Sequence, residues 1–165
     1  YIPDSIDSSL VISKLIEYPE HPSLMKEVFL TGFTMLNFLP AVILKISNSI
    51  FFTSKIIIFL NTFLLTLGFL YLIFGITRSK LFSSLVTVII LFLEIKSGSG
   101  DYPTSYFSQH IYGSFSFAIF TFFLGTFLVK KFTVSGFTAG LFFAIHPVTA
   151  TWLFLHLLVI FFFLR

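Results

Sequence analysis

Ile56–Ile76 reads IIIFLNTFLLTLGFLYLIFGI, 21 residues without a charge. As a helix this run rises about 31 Å, enough to cross the hydrocarbon of a bilayer. Lys55 stands at one end, and Arg78 and Lys80 stand at the other. A single apolar run of this kind also fits a buried core helix, so its surroundings decide between the two.

Those surroundings are equally apolar. The chain has 165 residues, of which 56% are hydrophobic and 10% charged, and its mean hydropathy is +1.01. A soluble domain carries about 25% charged residues. Twenty-six phenylalanines cannot all be hidden in so small a core, so lipid is the expected solvent for much of the surface. The formal charge of +3 is spread out and forms no basic stripe, which argues against a nucleic-acid partner. With no cysteine, disulfides, thiolate metal sites and cysteine nucleophiles are excluded.

Outward from the first run, residues 81–95 predict a second span and 113–129 a third, closed by Lys130-Lys131. Phe132–Leu164 is 33 residues without an acid or a strong base. One straight helix of that length would measure about 50 Å, too long for a bilayer. Pro147 supplies the break, because it removes a backbone hydrogen bond and clashes with the preceding turn. Two short helices, 133–145 and 149–164, are therefore expected to meet at His146-Pro147. The first carries Gly136-Phe-Thr-Ala-Gly140, a small-residue face that permits close helix contact.

Residues 1–54 differ in composition. They hold Asp4, Asp7, Glu17, Glu20 and Glu27, five of the seven acids. Ser8–Ile16 predicts a short amphipathic helix, and a second is expected from Ser23 to about Lys45, interrupted at Asn37 and Pro40. The fold expected is all-α and polytopic, with about four transmembrane helices (55–165) behind an extracytoplasmic segment of interfacial helices (1–54). Arg78, Lys80, Lys130, Lys131 and Arg165 set the cytoplasmic side by the positive-inside rule. The absence of an initiating Met and the apolar end suggest a piece of a longer chain, and a small complete subunit is the alternative. A bacterial inner membrane is the expected location.

The interval between the second and third spans is EIKSGSGDYPTSYFSQH, Glu94 to His110. Gly98, Gly100 and Pro103 forbid a continuous helix there, and polar loops between spans are where function usually sits. With the orientation above, this loop, Asp4, Asp7 and His146 all fall on the outer side. Asp4, Asp7, Asp101, His110 and His146 are the candidate catalytic residues, with Tyr102, Tyr106 and Gln109 beside them. A carboxylate with a histidine at a lipid surface suits proton abstraction from a hydroxyl, or a grip on a phosphate head group.

Each candidate has a plainer reading. Asp4 and Asp7 sit among serines and fit a solvated turn, and Asp101 fits a turn cap. His110 fits an interfacial residue. His146 fits a cap on the broken helix, bonding a freed carbonyl. His156, among leucines and phenylalanines, is expected to make an interhelical hydrogen bond. No HExxH, GxxxxGK[ST] or GxSxG motif occurs, the histidine spacing matches no metal site, and no haem or flavin is implied.

Four stretches carry a resemblance: Tyr1-Ile-Pro-Asp4-Ser-Ile-Asp7, Asn37-Phe-Leu-Pro40, Asp101-Tyr-Pro-Thr-Ser-Tyr106 and Gly140-Leu-Phe-Phe-Ala-Ile-His146-Pro147. Their order resembles the N-terminal half of GT-C-type integral membrane glycosyltransferases and the bacterial polytopic proteins that look like them. The resemblance implies transfer of a sugar from a polyprenyl-phosphate donor to an extracytoplasmic acceptor. Asp4 or Asp7 would match the family's catalytic base, Asp101 would orient the acceptor, and His110 or His146 would help hold the phosphate. The bilayer and a lipid-linked sugar are the implied partners. The contrasting expectation, from a different class, is a transporter, channel or membrane-complex subunit, since discontinuous helices line substrate paths.

Overall fold

The computed structural model describes residues 9–10, 12–14, 35–92, 96–97, 104–105 and 112–163. It is all-α, with six helices among the described residues: α1 (Met35–Ser47), α2 (Ile50–Thr77), α3 (Lys80–Phe92), α4 (Tyr112–Leu128), α5 (Phe132–Ile145) and α6 (Pro147–Phe163). Two short strands, β1 (Lys96–Ser97) and β2 (Thr104–Ser105), pair antiparallel, with Lys96 opposite Ser105. Residues 96–97 and 104–105 of the central polar loop thus lie side by side. Asp4, Asp7, Asp101 and His110 lie outside the described residues, as do Glu94, Tyr102, Tyr106 and Gln109. Of the expected Ser8–Ile16 helix, Ser9, Leu10 and Ile12 are described and helical.

α2 is the organising helix and the one described helix long and apolar enough to cross a membrane. Its 28 residues rise about 42 Å. It begins at Ile50 rather than near Lys55, because the Ser49 side chain accepts from the Phe52 N–H and caps the helix five residues earlier. Lys55 therefore lies inside the helix, its Nζ 4.2 Å from the Phe51 ring centroid. At the other end Arg78 adopts the left-handed conformation, its N–H donating to the Phe74 carbonyl. The remaining helices have 13 to 17 residues.

Backbone contact holds α2 to α4. A Cβ on Gly68 would stand 2.7 Å from the Phe122 nitrogen, and one on Gly125 would stand 2.8 Å from the Gly68 oxygen. Gly75 meets the Leu128 side chain in the same way. Positions on the two helices advance together, so α2 and α4 run parallel. At Gly136 and Gly140, the pair expected to permit close contact, an added Cβ would meet no heavy atom of the described residues within 4 Å. Small residues permit contact, and only a facing helix makes it.

Pro40 also departs from expectation. It lies inside α1 instead of interrupting it. The missing N–H and ring clash cost about 3 kcal/mol, but Pro40 is among the fully buried side chains, and Ala41 and Leu44 beside it are buried too. Leu44 packs with Leu10 and Ile50, and the Ser9 hydroxyl donates to the Asn37 carbonyl at 2.8 Å. Burial on this face offsets the broken bond.

Beside buried aliphatics such as Ile57, Leu65 and Ile119, the helices bury many polar side chains and expose many large apolar ones. α2 buries Thr53, Ser54 and Asn61 and exposes Phe51, Phe52, Phe59 and Phe63. α3 buries Ser83 and Thr87 while Leu81, Phe82, Leu85 and Phe92 face outward. α5 buries Ser135 and Thr138 and exposes Phe132 and Phe137. The buried hydroxyls mostly donate to carbonyls of their own helix or its cap, as Ser83 does to Ser79 at 2.6 Å and Thr138 to Val134 at 2.7 Å. Others cross between helices: Ser135 Oγ donates to Thr126 Oγ1 at 3.0 Å, tying α5 to α4, while Thr53 Oγ1 stands 3.3 Å from Ser47 Oγ of α1 and Ser83 Oγ 3.5 Å from Thr77 Oγ1 of α2.

Candidate functional site

His146 sits where α5 stops and α6 starts. Its own N–H still donates to the Phe142 carbonyl at 2.8 Å, closing α5. Pro147 follows as the first residue of α6, where its missing N–H removes no bond, since the first helical amides have no intrahelical partner. His146 then caps the new helix with two groups. Its Nδ1 accepts from the Thr149 N–H at 3.4 Å, and its carbonyl accepts from the Ala150 N–H at 3.0 Å and the Thr149 hydroxyl at 3.3 Å. The cap is present, with the ring accepting from a freed amide. An accepting Nδ1 puts the proton of the neutral ring on Nε2.

His156 bonds in the opposite sense. Its Nδ1 is 2.6 Å from the Trp152 carbonyl, one turn back on the same helix. A carbonyl only accepts, so Nδ1 carries a proton. The bond lies within α6, not between helices as expected. A ring one turn from a carbonyl of its own helix reaches it more readily than a neighbouring helix, and α6 exposes much of its surface, His156 included.

Both rings line a cavity of about 560 Å³ between α4, α5 and α6. Its walls are Phe117, Phe120, Phe142, Trp152 and Leu153, and almost all of the lining is apolar. Ser116, Thr149 and the two histidines are the polar points. Trp152 is 61% exposed, so the cavity opens on the outer surface of the bundle rather than on its centre. A space of this size with a few convergent polar groups has the form of a small-molecule site. An apolar chain matches the walls, and a hydroxyl or phosphate matches the two histidines. Among the described residues no three metal-ligating side chains come together.

Of the five candidates read from the sequence, His146 alone is described, and it is in the site. Thr149, Trp152, Leu153 and His156 were missed as a group. They fall at i, i+3, i+4 and i+7, one face of a helix, so the signal was present in the sequence once α6 was known to begin at Pro147. Ser116 and the phenylalanines of α4 carried no such signal, because α4 is apolar all round.

The ends of the helices place the neighbouring segments. Phe115, near the start of α4, shares a buried cluster with Phe142, Ile145 and Ala150, and Met35 packs against it. The central loop therefore re-enters the bundle at the end where α5 breaks. Leu10 packs against Ile50 at the start of α2, which is the same end, since α2 and α4 are parallel. Compared with known proteins, the chain matches no family model, no curated protein and no solved structure.

Proposed function

We propose that this is an integral membrane protein that holds the apolar chain of a lipid-linked substrate between α4, α5 and α6, with the polar head at His146. The observation that carries the reading is the apolar cavity of about 560 Å³ ringed by His146, Thr149 and His156. Its opening toward exposed Trp152 and Phe117 suits entry from within a bilayer. The outward-facing phenylalanines support membrane embedding, because a soluble monomer rarely exposes such continuous apolar surface. In this reading α2 crosses the bilayer, α3 and α4, each shorter than a full span, are embedded beside it, and the α5–α6 pair goes out and returns. Arg78, Lys80, Lys130 and Lys131 then face the cytoplasm, and the β1–β2 loop faces outward.

The GT-C resemblance supplies the chemistry of the reading. A polyprenyl-phosphate-linked sugar would lie with its chain in the cavity and its phosphate at the His146 rim. Asp4, Asp7, Asp101 and His110, outside the described residues, are the proposed acid–base and orienting groups. The second reading, a transporter or membrane-complex subunit, is favoured by the helix break beside a cavity, an arrangement used to line substrate paths.

Trp152 is the sole tryptophan of the chain and lines the cavity, so the unaltered protein reports on its own site. In lipid nanodiscs, a brominated polyprenyl phosphate should quench Trp152 emission well beyond brominated phosphatidylcholine at equal mole fraction. Ser116→Leu, which fills the cavity, should remove the difference. Equal quenching by both lipids in the unaltered protein sinks the chain-binding reading. Selective binding without sugar transfer, in a protein carrying all of its segments, moves the balance to the transporter class.

A further inference from the structure

The opposite end of the bundle has a second unassigned feature. Arg78 and Lys80 lie at the α2–α3 turn, and Lys130 and Lys131 lie at the α4–α5 turn. Parallel packing of α2 with α4 brings these turns together: Lys131 Nζ donates to the Tyr71 hydroxyl at 3.0 Å and stands 4.6 Å from the ring centroid. All seven acids of the chain fall outside the described residues, so no described carboxylate balances the four cations. Beside them, α2 and α3 enclose a cavity of about 280 Å³. Leu70 and Phe74 form its apolar floor, and Tyr71, Lys80, Ser83 and Ser84 form its polar side.

The Ser83 hydroxyl is engaged by the Ser79 carbonyl at 2.6 Å, which leaves the exposed Ser84 hydroxyl and the Lys80 ammonium as donors at the rim. Lys131 brings three N–H donors and spends one on Tyr71. Cations and hydroxyls above an apolar floor match an amphiphile with a phosphate head. A soluble anion would use the rim and gain nothing from Leu70 and Phe74. Basic grooves between helices at the positively charged side of a membrane protein bind anionic head groups for the same reason.

We propose that the α2–α3 groove is a binding site for the phosphate head group of an anionic membrane lipid. Lys80 and Lys131 meet the phosphate, Tyr71 and Ser84 add hydroxyl donors, and the first carbons of an acyl chain lie along Leu70 and Phe74. The site rests on the membrane embedding proposed above and is independent of any ligand in the α4–α5–α6 cavity.

The test places a tryptophan in the groove with Phe74→Trp and silences the other with Trp152→Phe. The full chain is reconstituted in phosphatidylcholine nanodiscs doped with either brominated phosphatidylglycerol or brominated phosphatidylcholine. The expected result is stronger quenching by phosphatidylglycerol. Lys80→Gln and Lys131→Gln should each reduce that selectivity roughly fivefold, the factor for one lysine at a lipid surface. Lys55→Gln, on the far half of α2, should leave it unchanged. Equal quenching by the two lipids in protein that has entered the nanodisc overturns the head-group site alone. Displacement of phosphatidylglycerol by inorganic phosphate overturns the lipid in favour of a free anion. Protein that stays out of the nanodisc, quenched by neither lipid, overturns the membrane reading and the site with it.

Discussion

The α2–α4 pair and the α5–α6 pair are built from almost the same amino acids and behave as opposites. Along α2 and α4, glycines meet backbone at Gly68 and Gly125, with Phe122, Thr121 and Leu72 in contact. Along α5, the glycines at 136 and 140 face open space, and α5 and α6 part at His146 around a cavity. In a bundle with apolar residues on every side, hydrophobicity does not choose which helices touch. Steric fit and a few hydrogen bonds do. The tight pair is the frame, and the looser pair is where a ligand has room.

The contrast can be broken most sharply at the seam. Gly68→Leu drives a side chain into the Phe122 backbone, which cannot move without shifting α4, so a loss of about 3 kcal/mol is expected. Denaturation in detergent, followed by helical circular dichroism, measures it; a near-neutral result would mean that α2 and α4 do not meet backbone to backbone. Next comes the break. His146→Ala removes the ring that caps α6 and should cost about 1 kcal/mol, while His146→Asn, which restores an acceptor, should recover most of it. If the two variants lose stability equally, the cap is not what the ring provides.

A smaller effect is expected where the two pairs are joined. Ser135→Ala removes the hydroxyl bridge to Thr126 and should cost about 0.6 kcal/mol, the usual size of an interhelical hydrogen bond in a bilayer. Thr126→Val combined with it should add little, because both changes delete one bond; full additivity would show that the hydroxyls act separately. The smallest change belongs to the open face. Gly136→Leu should alter stability by no more than about 0.5 kcal/mol. A large loss there would reveal a partner on that face and remove the contrast with Gly68.

The sequence was legible where backbone chemistry acts alone. Pro147 removes an N–H whatever surrounds it, and the chain does break at His146. Arg78 and Lys130 follow apolar runs and both take left-handed conformations at helix ends. Reading failed where the same local chemistry is overridden by neighbours. Pro40 should have ended a helix, but burial keeps it inside one, and Lys55 should have flanked a helix that Ser49 starts earlier. Of the candidate site, His146 was found because a polar ring stands out in an apolar run. Trp152 and Ser116 were not, since neither is unusual in such company.

Composition and hydropathy alone determined that the chain is helical and greasy and that α2, the longest of the described helices, passes through residues 56–76, because local backbone and transfer energies depend on the residues themselves. Only the tertiary structure decided which glycines are contact points, that the two histidines of α5 and α6 border one cavity, and that two distant basic turns are neighbours. Those outcomes depend on which helix faces which, and in an all-round apolar helix the one-dimensional pattern has no preferred face to read.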